Sequence, residues 1–228
     1  MPKVRAVLFD LDGTLLDVSA RFHRAFNVAR QEWRLPHMAL DDFQSRYGKG
    51  TLTQDLPGKD TGPFWKKFLD EFSHNPLPHA GEPYEGVPAM LGELKERGLG
   101  AAVITNRSSA AKQVHGELEG LGLSSHFDIV LSQGDFNFRQ GDFGKDTSLY
   151  SKETMIHHAC EHIGVAPGET VMVGDLFTDI HSGRKAGCAY TIGVLTGGTP
   201  RKGLELAGAH HILESAREVL SLLGRTSG

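Results

Sequence analysis

Short apolar runs alternate with longer segments of helical periodicity along most of the chain. The runs are rich in aliphatic and β-branched residues and occupy positions 4–9, 99–105, 127–132, 169–174 and 188–194. Such runs are typical of strands that are covered on both faces of a parallel sheet. Helix-length segments separate most of them, and one segment, 152–163, places Ile156, Ala159, Cys160 and Ile163 in a single apolar stripe. The alternation predicts an α/β fold with a doubly wound parallel sheet.

Residues 17–86 interrupt this alternation. The stretch VSARFHRAFNVARQEW predicts a long amphipathic helix, and two shorter helical patterns follow near 40–46 and 63–74. We therefore expect an α/β core formed by residues 1–16 and 87–228, with a helical cap inserted at 17–86.

The composition argues against a polymeric or membrane partner. The 228-residue chain has 24 basic and 28 acidic residues without a basic block, so we expect no nucleic acid, no membrane and a small-molecule substrate. Cys160 and Cys188 are too far apart for a short metal-binding spacing and do not form a disulfide framework. The N-terminal apolar stretch is too short for a secretory signal. The expectation is a cytoplasmic monomer or homodimer.

Polar signatures follow three of the predicted strands. Asp10 and Asp12 follow the first, and Thr105-Asn106-Arg107 ends a second. Asp175 follows a third, with Asp179 four residues later. Because ligands of parallel sheets bind beyond the carboxyl ends of the strands, we expect these side chains to face one crevice.

Carboxylates gathered in one crevice repel each other. At about 4 Å the repulsion is about 1 kcal/mol in water and about 4 kcal/mol at the effective dielectric near a protein surface. A hard cation with oxygen ligands would offset it, and Mg²⁺ suits a site that also holds a phosphate. The pattern therefore predicts a Mg²⁺ cofactor.

The spacing of the first two carboxylates predicts a division of labour. Residues two apart in an extended segment project to the same side, so Asp10 and Asp12 could reach one substrate atom. Asp10 would attack phosphorus and form an aspartyl-phosphate, while Asp12 would donate and then accept a proton. Gly13 allows a sharp turn, and the Thr105 hydroxyl could bind phosphoryl oxygens.

Each motif also has an explanation without catalysis. A lone pair of aspartates at a strand end often begins a loop or caps a helix, and Thr105 could cap the next helix. Asp175 could complement a helix dipole. Their joint occurrence at three strand ends favours a phosphoryl-transfer site.

Three motifs resemble those of a known family. FDLDGTL at 9–15, VITN at 103–106 and VGDLFTDI at 173–180 are similar to the hallmark sequences of the haloacid dehalogenase-like (HAD) hydrolases. Within them, the chain resembles the phosphoglycolate phosphatase-like group. The resemblance implies a Rossmann-like core with an inserted α-helical cap, and hydrolysis of a small phosphomonoester such as phosphoglycolate, a phosphosugar or a nucleotide.

The resemblance also implies roles for particular residues. Asp10 would be the nucleophile, Asp12 the general acid and base, and Thr105 a phosphate binder. Asp175 would bind Mg²⁺ together with Asp10 and the backbone carbonyl of Asp12, with Asp179 behind these ligands.

The family's lysine is the one departure from the pattern. Relatives carry it in a Lys-Pro pair before the helix that precedes the VGD strand, and this chain has no such pair there. Lys152, which opens the predicted helix, is favoured over Lys145, which lies in the long 134–150 stretch. That stretch could form a flap near the site.

Three further residues are candidates for substrate binding. Gly13 and Asn106 lie within the strand-end motifs, and Lys49 lies in RYGKGT, where glycines allow a tight loop that could approach the substrate.

Other functions remain open from the sequence. A phosphomutase of the beta-phosphoglucomutase type would use the same Asp10 and Asp12. A dehalogenase has no need of a second acid for a phosphate leaving group, so Asp12 argues against it. A non-catalytic phosphate-binding regulatory domain is the alternative outside the enzymes.

Overall fold

The computed structural model describes residues 3–48, 51–58, 60–74, 81–136 and 151–223. The strands in chain order are β1 (Ala6–Phe9), β2 (Leu16–Asp17), β3 (Glu82–Pro83), β4 (Gly100–Thr105), β5 (Ile129–Ser132), β6 (Thr170–Gly174), β7 (Tyr190–Val194) and β8 (His211–Leu213). The helices are α1 (Ser19–Glu32), α2 (Leu40–Gly48), α3 (Gly62–His74), α4 (Val87–Glu96), α5 (Ala111–Gly120), α6 (Glu153–Ile163), α7 (Phe177–Ala186), α8 (Arg201–Leu206) and α9 (Val219–Leu222).

Six strands form one parallel sheet in the order β5-β4-β1-β6-β7-β8. Helices cover both faces. Val7 and Phe9 of β1 belong to the same apolar cluster as residues of α4 and α5, whereas Leu8 belongs to the cluster that includes α6. The predicted doubly wound α/β fold is confirmed, and its five apolar runs contain five of these six strands.

The predicted apolar stripe of α6 packs against the sheet. Ile156, Ala159 and Cys160 are buried in one cluster with Leu8, and Ile163 is partly buried against that cluster. The helix ends at Ile163, and the next residue, Gly164, has a φ of +76°, the left-handed conformation in which glycine commonly terminates helices.

A helical insertion, α1 to α3, lies between β2 and β3, which pair antiparallel. Its interior is built largely from aromatic rings: Phe22, Phe26, Phe43, Tyr47, Phe64, Trp65, Phe68 and Phe72. Within the described ranges, no helix is both long and apolar enough to cross a membrane.

Candidate active site

The site lies where three neighbouring strands end. β1 pairs with β4 on one side and β6 on the other, with Phe9 opposite both Val103 and Val173. The backbone N–H of Asp10 then donates to the carbonyl of Val173 at 2.8 Å. Because the strands are parallel and in this register, the residues that follow them emerge side by side at one edge of the sheet.

Asp10, Asp175 and Asp179 form a buried cluster at this edge. Each contributes a carboxylate oxygen, and these oxygens all lie within 4.8 Å of one another. The Thr14 hydroxyl lies between two of the carboxylates, 3.2 Å from Oδ1 of Asp175 and 3.4 Å from Oδ2 of Asp10. Three ionised carboxylates so close together need cationic partners.

Lys152 provides one positive charge inside this cluster. Its Nζ contacts Oδ1 of Asp10 and lies 2.7 Å from Oδ1 of Asp179. Its backbone N–H donates to the Ser182 hydroxyl of α7 at 2.9 Å, which holds the start of α6 against α7. Burial would lower the pKa of Lys152, but the carboxylates of Asp10 and Asp179 outweigh burial and raise it, so the ammonium group stays charged.

We call Asp10, Asp175, Asp179 and Lys152 the acidic centre. Burial is the largest cause that raises the pKa of Asp10 to about 6, and Lys152 opposes this rise. Burial and then the Asp10 charge raise the pKa of Asp175 well above its ordinary value. Three carboxylates face a single ammonium group, so the centre has a negative net charge when all are ionised, and a divalent cation would offset that charge. The donors are all oxygens, which fits Mg²⁺.

Two glycine positions let backbone approach Asp175 closely. A Cβ on Gly197 would lie 1.9 Å from Oδ2 of Asp175, and the next residue, Gly198, donates its N–H to the same oxygen at 2.8 Å. Gly13 has φ +82°, and a Cβ there would lie 2.9 Å from that oxygen. The loop after β7 and the turn after β1 therefore hold Asp175 from two sides.

The Asp12 carboxylate lies against Arg107 and is outside the acidic centre. It accepts two hydrogen bonds from the Arg107 guanidinium, from Nε at 2.8 Å and from Nη2 at 2.6 Å. Thr105 ends β4 and is buried, and its hydroxyl accepts from the backbone N–H of Arg107 at 3.3 Å. Asn106 lies between them, half-buried.

Two residues near the acidic centre were not predicted to have a role, although both lie in motifs that the sequence analysis identified. Thr14, in FDLDGTL, contacts both Asp10 and Asp175. Tyr47, in RYGKGT, reaches from α2 to the loop after β7, since a Cβ on Gly198 would lie 2.3 Å from its hydroxyl oxygen. Burial and then the Asp175 charge raise the pKa of Tyr47, so its hydroxyl keeps its proton.

Two predicted candidates lie outside the described residues. They are Lys49 in the insertion and Lys145, the alternative to Lys152; most of the predicted 134–150 flap also falls outside them.

The chain belongs to the haloacid dehalogenase-like hydrolase family, whose model matches residues 4–187. This confirms the resemblance carried by the three motifs. The chain is 30% identical over 199 residues to a phosphoglycolate phosphatase of Chromobacterium violaceum, covering 82% of this chain and 83% of that protein. It is 26% identical over 233 residues to an N-acetylmuramic acid 6-phosphate phosphatase of Pseudomonas aeruginosa, covering 98% and 96% respectively.

Solved structures agree on the fold. A haloacid dehalogenase-like hydrolase of Streptococcus pneumoniae superposes with a TM-score of 0.72 at 18% identity, covering 97% of this chain and 99% of that one. At this identity the likeness shows the fold alone. The family match and the two phosphatase relatives together show that the chain is a phosphoric monoester hydrolase.

Proposed function

We propose that this protein is a Mg²⁺-dependent phosphatase that hydrolyses a small phosphomonoester through an aspartyl-phosphate on Asp10. The observation that carries the proposal is the acidic centre, where Asp10 lies beside Lys152, Asp175 and Asp179 at the carboxyl edge of the sheet. A structural ion pair would need one acid for one lysine, whereas this arrangement holds two further carboxylates.

The cation would be held by carboxylates of the acidic centre. Asp10 and Asp175 are the proposed ligands. The family resemblance implies the backbone carbonyl of Asp12 as a third ligand, and Asp179 would support these ligands without binding the cation directly. Bound there, Mg²⁺ would neutralise the carboxylates and polarise the phosphoryl oxygens.

The reaction proposed for this centre has two steps. A carboxylate oxygen of Asp10 attacks phosphorus, and the ester oxygen leaves with a proton from Asp12. Water then attacks the phosphorus of the aspartyl-phosphate, its proton passes to Asp12, and inorganic phosphate leaves with the Asp10 carboxylate restored. Lys152 holds the Asp10 carboxylate in place, and Thr105 and Asn106 bind phosphoryl oxygens as charge develops on them.

We assign the helical insertion the role of a cap over the active site. Residues 17–86 would cover the site, exclude water during the first transfer and select the substrate. The position of the Tyr47 hydroxyl, against the loop that holds Asp175, supports this role.

The substrate class is a small phosphomonoester. The names of relatives support phosphoglycolate and a phosphosugar, and a nucleotide remains in the class by resemblance only.

A substrate panel tests the proposal. The purified protein is assayed for phosphate release from phosphoglycolate, sugar phosphates and nucleoside monophosphates, with Mg²⁺ and with a chelator. We expect release with Mg²⁺ and no requirement for a sugar bisphosphate; a strict bisphosphate requirement would indicate the mutase. Release at the same rate in chelator would reject the cation.

The variant Asp10→Asn tests the nucleophile. Because an amide cannot replace the attacking carboxylate, turnover should fall by about 10³-fold or more. Circular dichroism should show an unchanged fold. The matched control is Asp41→Asn, at an exposed aspartate in the first turn of α2, which should leave activity unchanged. Substantial turnover by Asp10→Asn would reject the assignment.

A further inference from the structure

A chain of largely buried ion pairs connects Asp12 to the helical insertion. Arg107 binds Asp12 through Nε and Nη2, and its Nη1 lies 2.5 Å from Oε2 of Glu117 on α5. The same Glu117 oxygen accepts from Nη1 of Arg21 on α1 at 3.0 Å. Arg21 in turn donates from Nε to the carbonyl of Phe72 on α3 at 2.7 Å. We call Asp12, Arg107, Glu117 and Arg21 the arginine network.

The geometry points to Arg107 as the residue that positions the Asp12 carboxylate for proton transfer. Glu117 and Arg21 extend this positioning to the helical insertion. The inference rests on the proposed function, in which Asp12 protonates the leaving oxygen.

The first argument is the rigidity of Arg107. Its backbone carbonyl accepts from the Ser132 hydroxyl at 2.8 Å and from the N–H of Gly134 at 3.1 Å, which ties it to the end of β5. Its side chain is 1% exposed. A guanidinium fork that is fixed at both ends holds a carboxylate in one orientation, which a single ammonium group does not do.

The second argument is that each of the three guanidinium nitrogens of Arg107 already donates to a carboxylate. Nε and Nη2 face Asp12, and Nη1 faces Glu117. The guanidinium carbon also lies 5.7 Å from the centre of the Phe72 ring, within cation–π range. This arrangement suits a residue that acts through Asp12 rather than on the substrate itself.

The third argument is that the network crosses the boundary between core and insertion. Arg107 and Glu117 belong to the core, whereas Arg21 and Phe72 belong to α1 and α3. The Arg21 guanidinium carbon lies 4.8 Å from the centre of the Phe72 ring. A displacement of the insertion would therefore lengthen the distance between Arg21 and Glu117. The orientation of Arg107 and Asp12 thus depends on contact between the insertion and the core.

Leaving groups of different basicity test this positioning. An alkoxide needs a proton as it departs, whereas p-nitrophenolate leaves without one, so only alkyl phosphates depend on a well-placed acid. The assay compares kcat and KM for p-nitrophenyl phosphate with those for the alkyl phosphate that the wild type hydrolyses fastest. Asp12→Ala serves as the reference for loss of the acid.

Arg107→Lys keeps the charge and removes the fork. We expect kcat for the alkyl phosphate to fall by about 10²-fold and kcat for p-nitrophenyl phosphate by less than about threefold, with little change in KM. Glu117→Gln and Arg21→Lys should show the same selectivity with smaller losses. The matched controls are Arg97→Lys, at a partly exposed position, and Glu119→Gln, at an exposed one, both outside the network; they should match the wild type.

Equal losses on both substrates, or a rise in KM alone, would overturn the inference, because they indicate a structural or substrate-binding role for Arg107. If Arg107→Lys does not fold, Glu117→Gln makes the same comparison and decides it. The proposed function fails separately: a wild type that releases no phosphate from any ester refutes the phosphatase and this inference together. This inference alone is refuted if the wild type is active and Asp12→Ala loses activity selectively on the alkyl phosphate, but Arg107→Lys loses activity equally on both substrates.

Discussion

The acidic centre and the arginine network flank the same turn after β1 but differ in charge balance. In the acidic centre, three carboxylates face the single ammonium group of Lys152. In the arginine network, two carboxylates face two guanidinium groups. Both clusters are largely buried, so burial alone does not distinguish their roles.

The difference lies in what each cluster still requires. In the acidic centre, burial is the main cause that raises the pKa values of Asp10 and Asp175; neighbouring carboxylates add to the rise, and Lys152 opposes it. The excess of carboxylates over ammonium groups favours a divalent cation. The arginine network is neutral by itself and needs no ion. In Arg107, burial would lower the pKa, but Asp12 and Glu117 raise it, so the guanidinium remains a permanent partner. One cluster is suited to bind a cation and the other to hold a side chain still.

The largest effect on stability should come from removing a cation from each cluster in turn. Leaving a buried charge without its partner costs about 3–5 kcal/mol, so Lys152→Met should lower the free energy of unfolding by about this amount. Arg21→Met should lower it by less, because Glu117 is partly exposed and keeps Arg107 as a partner. Mg²⁺ should restore part of the loss in Lys152→Met, because the ion neutralises the same carboxylates, and none of the loss in Arg21→Met. Denaturant unfolding with and without Mg²⁺ measures both.

Lys112→Met, at an exposed lysine of α5, is the matched control and should stay close to the wild type. Equal restoration by Mg²⁺ in both buried variants would abolish the distinction between the clusters.

A smaller effect should follow from crowding Asp175. In Gly197→Ala the new Cβ would overlap the Asp175 carboxylate, so that side chain must move. Because residues that support metal ligands typically contribute 10- to 100-fold, Mg²⁺ affinity or activity should fall by about that factor. Gly92→Ala is the control: its Cβ meets nothing within 4 Å in α4, so activity should not change. Titration of activity with Mg²⁺ compares them, and an unchanged Gly197→Ala would place the cation away from Asp175.

The smallest expected effect is a pH dependence of stabilisation by Mg²⁺. The folded pKa of Asp10 is about 6 against an ordinary value of 3.8, so between these values the folded state holds a proton that the unfolded state has released. Without metal, this group therefore lowers stability as pH rises through that window. Mg²⁺ competes with the proton, so the rise in Tm on adding Mg²⁺ should be several degrees and larger at about pH 7.5 than at about pH 5. A larger rise at the lower pH would contradict the involvement of Asp10.

Much of the fold could be predicted because its signals are local. Apolar runs mark every strand of the main sheet except β8, whose three residues lie at the sheet edge and are exposed or partly buried. β2 and β3 have two residues each and are too short to show a period. The predicted helix at 18–33 differs from α1 by one residue at each end.

The site was predictable to the extent that it follows strand ends. The acids after β1 and β6 were recognisable because parallel strands bring their carboxyl ends together. The sequence favoured Lys152 over Lys145 but did not decide between them, because both could reach the edge of the sheet from a loop or helix start. The structure places Lys152 on Asp10, and Lys145 lies outside the described residues.

The sequence by itself determined the α/β architecture, the helical insertion and the convergence of three polar strand ends, because periodicity and strand direction are properties of neighbouring residues. Only the tertiary structure decided which cation faces which carboxylate. Lys152 is 142 residues from Asp10 and Arg107 is 95 residues from Asp12, and no local pattern records such pairings. Side-chain partners at that separation are selected by packing of the whole chain, since burial makes each charge stable only beside its partner.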